Sequence, residues 1–324
     1  MSKIEPGHLL NQLSTKHFVS GEELAQRFGV SRTAIAKQVK ILQEYGVDIF
    51  SVQRSGYKLG REVTLIEKSQ VIEGLANKQS SLLCVESLID STNDFVKERV
   101  STLEDGFVCI AQGQKQGRGR QGKKWISPFA SNLYLTMKWR FQLGFQSLSG
   151  LSLAIGVATV RTIKPLVKLP VTLKWPNDVY INGQKVSGTL VEVSGNPDGS
   201  CDAIIGIGLN VNMPQVEGID QPWTDLQSNT SDAININRLT ASFVNNLRTI
   251  VSEFATEGFS PFVSEWEAHD HFRDKEILVI NGKNQTSCVS RGISSSGALV
   301  VEVMEDGITK TKELFGGEIS VRSA

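Results

Sequence analysis

GQKQGRGRQGKKWISPFASNLYLTMKW, residues 113–139, is the stretch that organises the chain. Between positions 115 and 124 it carries five basic residues, Lys115, Arg118, Arg120, Lys123 and Lys124, with three glycines and no acid, and an apolar run opens at Trp125. Glycine lets the main chain bend tightly and turn N–H groups inward, while arginine offers a forked donor that matches carboxylate and phosphate oxygens. Positive charge concentrated where the backbone is loosest predicts a mobile anion-binding loop. Taken alone, the same loop is compatible with a nucleic-acid contact or a solvated face.

A second stretch, KWPNDVYINGQKVSGTLVE at residues 174–192, narrows the choice. It adds the cations Lys174 and Lys185 and reads as a hairpin, with strands at 179–181 and 186–193 turned at Asn182-Gly183. Together the two stretches carry GRGRxGxxWxSP and KWPND, and the chain closely resembles the biotin-protein ligases, specifically their bifunctional members that also repress the biotin operon. The resemblance extends over nearly the whole sequence. It departs at Gln121, where many relatives have a further arginine, so this loop is one charge poorer.

The fold expected is α+β: a winged helix-turn-helix over residues 1–62, a central α/β domain of the biotin/lipoate ligase type over 63–272 and a C-terminal SH3-like β-barrel over 273–324. In the first segment Gly29 sits where a left-handed cap ends a helix, and Ser31 is a good N-cap for the next. In that next helix Ile35, Val39 and Leu42 recur at helical spacing and face inward, leaving Arg32, Thr33, Ala36, Lys37 and Lys40 on the other side. Short side chains with cations suit a helix entering a major groove, so Ser31 and these five residues are the candidate DNA contacts, with Arg54 on a small hairpin as the wing. A helical bundle for protein contacts is the alternative. Nine Lys or Arg against six Asp or Glu leave this segment only mildly basic, so useful specificity calls for a dimer on an inverted repeat.

In the central segment, residues 90–93 cap a helix after a strand at 82–88, strands at 108–111 and 133–139 flank the glycine loop, and residues 151–163 form an apolar helix ending before Pro165. Gly206 and Gly208 in the strand at 203–210 mark either close approach by a ligand or a β-bulge. Residues 211–223, with Pro214, Gly218 and Pro222, read as a flexible loop. Helical spacing from Leu239 to Phe254, continued by Phe262 and Trp266, is core. From Lys275 onward, short β runs alternate with turns at Asn281-Gly282, Ser296-Gly297 and Asp306-Gly307, the pattern of a small β domain that closes on residues 316–322.

The resemblance implies a two-step reaction. The biotin carboxylate attacks the α-phosphorus of ATP to give biotinyl-5′-adenylate and pyrophosphate, and a carrier-protein lysine then attacks the acyl carbon. Two anions meet in the first step, so pre-placed cations are the main catalytic demand. Lys185 is the candidate bridge between carboxylate and α-phosphate, with Arg118 and Arg120 on phosphate, and these three together with Gly119 are also assigned to biotin. Ser91, Thr92, Asn93 and Gln114 are the candidates for reading the ureido ring, although Ser91 and Thr92 also read as helix caps. Trp125 and Tyr134 either flank the valeryl tail or pack in the core. Asn177, Asp178, Asn210, Trp223 and Arg322 are assigned to the nucleotide. Asp178 is the candidate for Mg²⁺ or for fixing a strand turn, Trp223 is a lid over the purine or a packed loop residue, and Arg322 is a nucleotide contact or a surface arginine. Expected partners are ATP, biotin and Mg²⁺, the biotin carboxyl carrier protein of acetyl-CoA carboxylase, operator DNA, and a second copy of the chain when adenylate is bound. A ligand-sensing transcription factor without catalysis, a lipoate ligase, and a ligase whose first domain no longer binds DNA are the rival readings.

Composition adds boundaries. The chain has 324 residues, 40% of them hydrophobic, and 34 Lys plus Arg against 34 Asp plus Glu, so nucleic-acid binding must be local. Four scattered cysteines without a CxxC and no charged-then-apolar leader point to reduced thiols in the cytoplasm. The four histidines form no zinc spacing, and the longest apolar run, near residues 151–160, is short of the ~20 needed to cross a bilayer.

Overall fold

The computed structural model describes residues 4–142, 144–195, 199–305, 307–317 and 319–323. Asp306 of the expected turn and Glu318 of the closing segment lie outside the described residues. The chain opens with three helices, α1 (Pro6–Leu10), α2 (Gly21–Phe28) and α3 (Arg32–Glu44), followed by the antiparallel pair β1 (Ile49–Val52) and β2 (Gly56–Leu59). Local chemistry sets each boundary. The Ser20 hydroxyl accepts from Glu23 N at 3.0 Å and the Ser31 hydroxyl from Ala34 N at 3.2 Å, while Gly29 takes φ +62° at the end of α2. Ile35, Val39 and Leu42 are buried, as their spacing requires.

The central region comprises α4 (Lys68–Gly74), β3 (Leu83–Ile89), α5 (Thr92–Lys97), β4 (Val108–Gln114), β5 (Leu133–Phe141), α6 (Leu151–Ile163), β6 (Val171–Lys174), β7 (Asp178–Ile181), β8 (Gln184–Gly195), β9 (Cys201–Leu209), α7 (Ile236–Glu257) and α8 (Val263–Glu267). Its seven strands form one sheet in the order β3-β4-β5-β9-β8-β7-β6, in which only β3 and β4 run parallel. Side chains alternate across it. Val108, Ile110, Leu133, Leu135, Ile205 and Ile207 join the large core with α6 and α7, while Cys109 and Ile204 point to the opposite face and pack with Val96 of α5. That opposite face, covered only in part by α5, carries the site. The glycines of β9 are not bulges: the register of β9 against both β5 and β8 is continuous.

The C-terminal β domain is a five-stranded antiparallel sheet, β10 (Glu276–Asn281), β11 (Asn284–Ile293), β12 (Leu299–Glu305), β13 (Ile308–Leu314) and β14 (Ser320–Ser323), ordered β13-β12-β11-β10-β14. Trp175 Nε1 donates to Gly297 O at 3.1 Å and docks it on the central region. At the other end Phe129, 1% exposed, packs in the core of the N-terminal helices, and its backbone N–H donates to Tyr45 O at 2.7 Å. Arg61 crosses the same junction, donating to Asn212 O and Oδ1 at 3.0 and 2.9 Å and to Ser131 Oγ at 3.1 Å.

Candidate active site

A cavity of about 950 Å³ opens on the α5 face of the sheet. Its inner end is built from the start of α5 and the ends of β4 and β9. The Ser91 hydroxyl stands at the N-cap of α5, 3.5 Å from Asp94 N, so the caps read from sequence and the cavity wall are the same residues. Gln114 Oε1 accepts from Thr92 N at 2.9 Å and from Thr92 Oγ1 at 3.1 Å, and its Nε2 donates to Ser127 Oγ at 2.9 Å. The amide of Asn93 is held at both ends, donating from Nδ2 to Glu192 Oε2 at 2.8 Å and accepting from Thr136 Oγ1 at 2.7 Å. Ser91, Thr92, Asn93 and Gln114 are each under 10% exposed, so this is a preorganised set of donors and acceptors in a desolvated recess.

Gly206 and Gly208 form the floor because nothing larger fits. A Cβ on Gly206 would stand 2.1 Å from Asn93 Oδ1, and one on Gly208 2.2 Å from the Trp125 indole. Trp125 therefore lies against β9 and lines the cavity, with its indole N–H buried and without a hydrogen-bond partner. Tyr134 goes elsewhere. It is 1% exposed beneath the loop, donates from its hydroxyl to Pro128 O at 2.9 Å, and takes the core-packing alternative; burial pushes its phenol well above the usual range.

The outer end holds the charges. Lys185 Nζ is 2.8 Å from Asp178 Oδ1 and 5.4 Å from the Trp125 ring centroid. Arg120 donates to Asn177 Oδ1 at 2.9 Å and to the backbone oxygens of Gly317 and Ile319, so the loop's second arginine reaches across to the C-terminal sheet. Burial lowers its pKa, against the opposing field of Asp178. Gly119 and Arg118 are on the cavity wall, but Arg118 is engaged by Asp94 at 2.6 Å and Glu192 at 2.8 Å. Gln121 takes φ +56°, a left-handed turn beside Gly122 at +71°.

Asn210, Trp223 and Arg322 complete the outer wall. The loop after β9 is tied by its far end: Trp223 bridges to Lys185, Lys185 N donates to Pro222 O at 3.1 Å and Thr224 N to Lys185 O at 2.9 Å. Asn210 Nδ2 donates to Thr224 O at 3.0 Å. The acids on the wall, among the described residues, are Asp178 and Asp220, and no group of three or more His, Cys, Asp or Glu converges as a metal site.

Some wall residues escaped the sequence reading. Lys174 was read as a cation without a role; it donates to Tyr180 OH at 3.0 Å, and burial lowers its pKa. Its signal was its place at the head of KWPND. Thr136 and Glu192 are set apart from the motifs' charged positions, and only strand pairing brings them to Asn93.

On the N-terminal helices, Ser31, Arg32, Thr33, Ala36, Lys37 and Lys40 are all exposed on one side of α3, and Arg54, at φ +69°, is exposed at the tip of the β1–β2 hairpin. Comparison with known proteins follows this division. The Biotin/lipoate A/B protein ligase family matches residues 85–212, and an HTH domain matches residues 8–58. The Bifunctional ligase/repressor BirA of Salmonella typhimurium is 39% identical over 321 residues, covering 98% of each chain. The chain belongs to the bifunctional biotin-protein ligase/repressor family. The BirA of Bacillus subtilis is a more distant member of this family, 28% identical over 94% of each chain. A solved biotin protein ligase from Aquifex aeolicus, in complex with biotin and ATP, superimposes with a TM-score of 0.64 at 27% identity, covering 75% of this chain and 99% of its own. The recess at α5 and the cations around Lys185 line one continuous cavity.

Proposed function

We propose that the chain is an ATP-dependent biotin-protein ligase that forms biotinyl-5′-adenylate, passes biotin to a lysine of the biotin carboxyl carrier protein, and as an adenylate-bound dimer represses the biotin operon. The observation that carries the reading is the convergence, in one cavity, of the polar recess of Thr92, Asn93 and Gln114 with Lys185 and the loop arginines. In this reading biotin's ureido ring enters the recess, its apolar part lies along the Trp125 face, and its carboxylate reaches Lys185.

Lys185 is held at the outer end of the cavity by Asp178, so its ammonium is in place before substrate arrives. Its task is to offset the repulsion between the carboxylate and the α-phosphate as they close. Arg120, anchored by Asn177, places a second cation on the same wall. Asn210, Trp223 and Arg322 bound the space left for the nucleoside. A Mg²⁺ ion would supply further charge neutralisation on the phosphates when bound. Such an ion keeps water and phosphate ligands and needs few carboxylates, which fits a wall whose acids are Asp178 and Asp220.

For the repressor role, the exposed face of α3 reads one half-site and a second copy supplies the other. The route to that dimer runs through β8. Past Thr189, among the described residues, β8 pairs only with β9, leaving a strand edge beside the site. Held adenylate orders the glycine loop and the 211–223 loop and so favours the dimer, a shift of population by differential binding. Four free cysteines accord with a reducing cytoplasm, and no helix among the described residues is long and apolar enough to cross a membrane. Incubation with ATP, Mg²⁺, labelled biotin and a carrier domain tests the proposal. Transfer of label by the wild-type chain and not by Lys185→Ala is the expected result, and sedimentation with and without biotin plus ATP reads the dimer.

A further inference from the structure

We propose that Glu192, which no sequence motif singles out, is a positioning residue: one carboxylate latches the glycine loop over the bound intermediate and orients the amide of Asn93. The proposal rests on the ligase reading above.

Glu192 lies on β8 with its side chain 19% exposed, and three side chains from two parts of the chain, α5 and the glycine loop, meet at it. Oε2 accepts from Asn93 Nδ2 and from Arg118 Nη2, both at 2.8 Å, and Oε1 accepts from Arg118 Nη1 at 3.3 Å and Lys97 Nζ at 3.4 Å. Partial burial would raise its pKa, but the Asn93 hydrogen bond, Arg118 and Lys97 prevail and hold the carboxyl below its ordinary value. It is charged at neutral pH and fully engaged.

Two consequences follow. An amide's nitrogen and oxygen are alike in shape, so only partners decide which way it points. With Glu192 on Nδ2 and Thr136 on Oδ1, Asn93 has a single orientation. Arg118, in turn, is the loop's tether. Its guanidinium reaches Glu192 on one side and, at 2.6 Å, Asp94 of α5 on the other, so the loop is closed by two carboxylates rather than by the ligand alone. The residue that fixes the head of the ligand also fixes the lid over its reactive end.

The test measures escape of preformed labelled biotinyl-adenylate during a chase with unlabelled biotin and ATP. Glu192→Gln keeps the shape and one acceptor but removes the charge, and release is expected to accelerate roughly ten- to a hundredfold, the scale of one charged hydrogen bond. In pyrophosphate exchange the KM for biotin rises, as Asn93 loses its charged partner, while kcat falls much less. Asp94→Asn, which leaves Glu192 in place, gives an intermediate release rate. High salt speeds release from the wild type and, less steeply, from Glu192→Gln, which keeps the Arg118–Asp94 pair, because partly exposed ion pairs are screened. Wild-type release from Glu192→Gln overturns the latch, as does a uniform fall in exchange, biotin affinity and melting temperature, which marks a merely structural role. A wild-type chain that forms no adenylate overturns the ligase reading itself, and the latch with it.

Discussion

Lys185 Nζ stands 2.8 Å from Asp178 Oδ1, with both side chains only about one-seventh exposed (14% and 13%). A pair this dry costs desolvation that its attraction barely repays, so it is weak as a stabilising device and effective as a way to hold an ammonium in position. Lys185→Ala is expected to lower biotin-dependent pyrophosphate exchange by about 10²- to 10³-fold. It also leaves Asp178 without its cation, so Lys185→Ala/Asp178→Asn should recover melting temperature without recovering exchange. A double variant that regains activity would show that the lysine served only to neutralise the acid.

The floor of the cavity gives a second prediction. Gly208→Ala puts a methyl 2.2 Å from the Trp125 indole and Gly206→Ala one 2.1 Å from Asn93, both inside contact distance. Either change should cost roughly 1–3 kcal/mol through displacement of the side chain above it. Titration calorimetry with biotin is expected to show weakened binding in both variants, with the circular-dichroism spectrum unchanged.

Asp270 carries a pH signature. Its Oδ1 accepts from Phe272 N at 2.9 Å, but its buried Oδ2 has no hydrogen-bond partner, and burial raises its pKa to about 6. An acid whose pKa is higher in the folded state binds its proton more tightly there, so its contribution to stability is complete below the unfolded value of 3.8 and is lost as pH rises through about 6. Asp270→Asn should therefore raise the melting temperature at pH 7 to 8, by the equivalent of about 1–2 kcal/mol. It should also flatten the stability profile between pH 4 and 6. Equal melting curves for the two proteins at pH 8 would refute this.

The exposed face of α3 predicts separable functions. Lys37 is solvent-exposed on the helix face opposite Ile35, Val39 and Leu42 and makes no contribution to the cavity. Lys37→Ala should weaken operator binding and reduce the slope of log affinity against log salt by about 1 per subunit. Label transfer to a carrier domain should be unaffected.

Much of this was legible in the amino-acid order because the strongest local signals coincide with the site. Ser31, Gly29 and Asn182-Gly183 specify caps and a turn through backbone chemistry alone, and each occupies its expected place. The apolar helix at Leu151–Ile163 has the bounds its hydrophobic run suggests. What escaped depends on strands meeting. β13, reading ITKTKEL, is exposed along nearly its whole length at a sheet edge and has no apolar alternation to betray it. The two glycines of β9 suggested close approach by something. Only the register of β9 with β5 and β8 reveals that Asn93 and Trp125 are what come close. Tyr134 alternates onto the correct face of β5 yet is covered by the loop above it, a distinction that periodicity cannot make.

Phe129 is encoded just beyond the glycine-rich loop but is solvated by the side chains of another module, within a core that includes Leu9, Leu24 and Val39. Removing the first sixty residues would strip that ring of its covering and leave a greasy knob two positions from Ser131, which with Asn212 receives Arg61. A shortened enzyme should thus be sticky and slack at its mouth, and the reader of the operator doubles as a plug for the chemistry it reports.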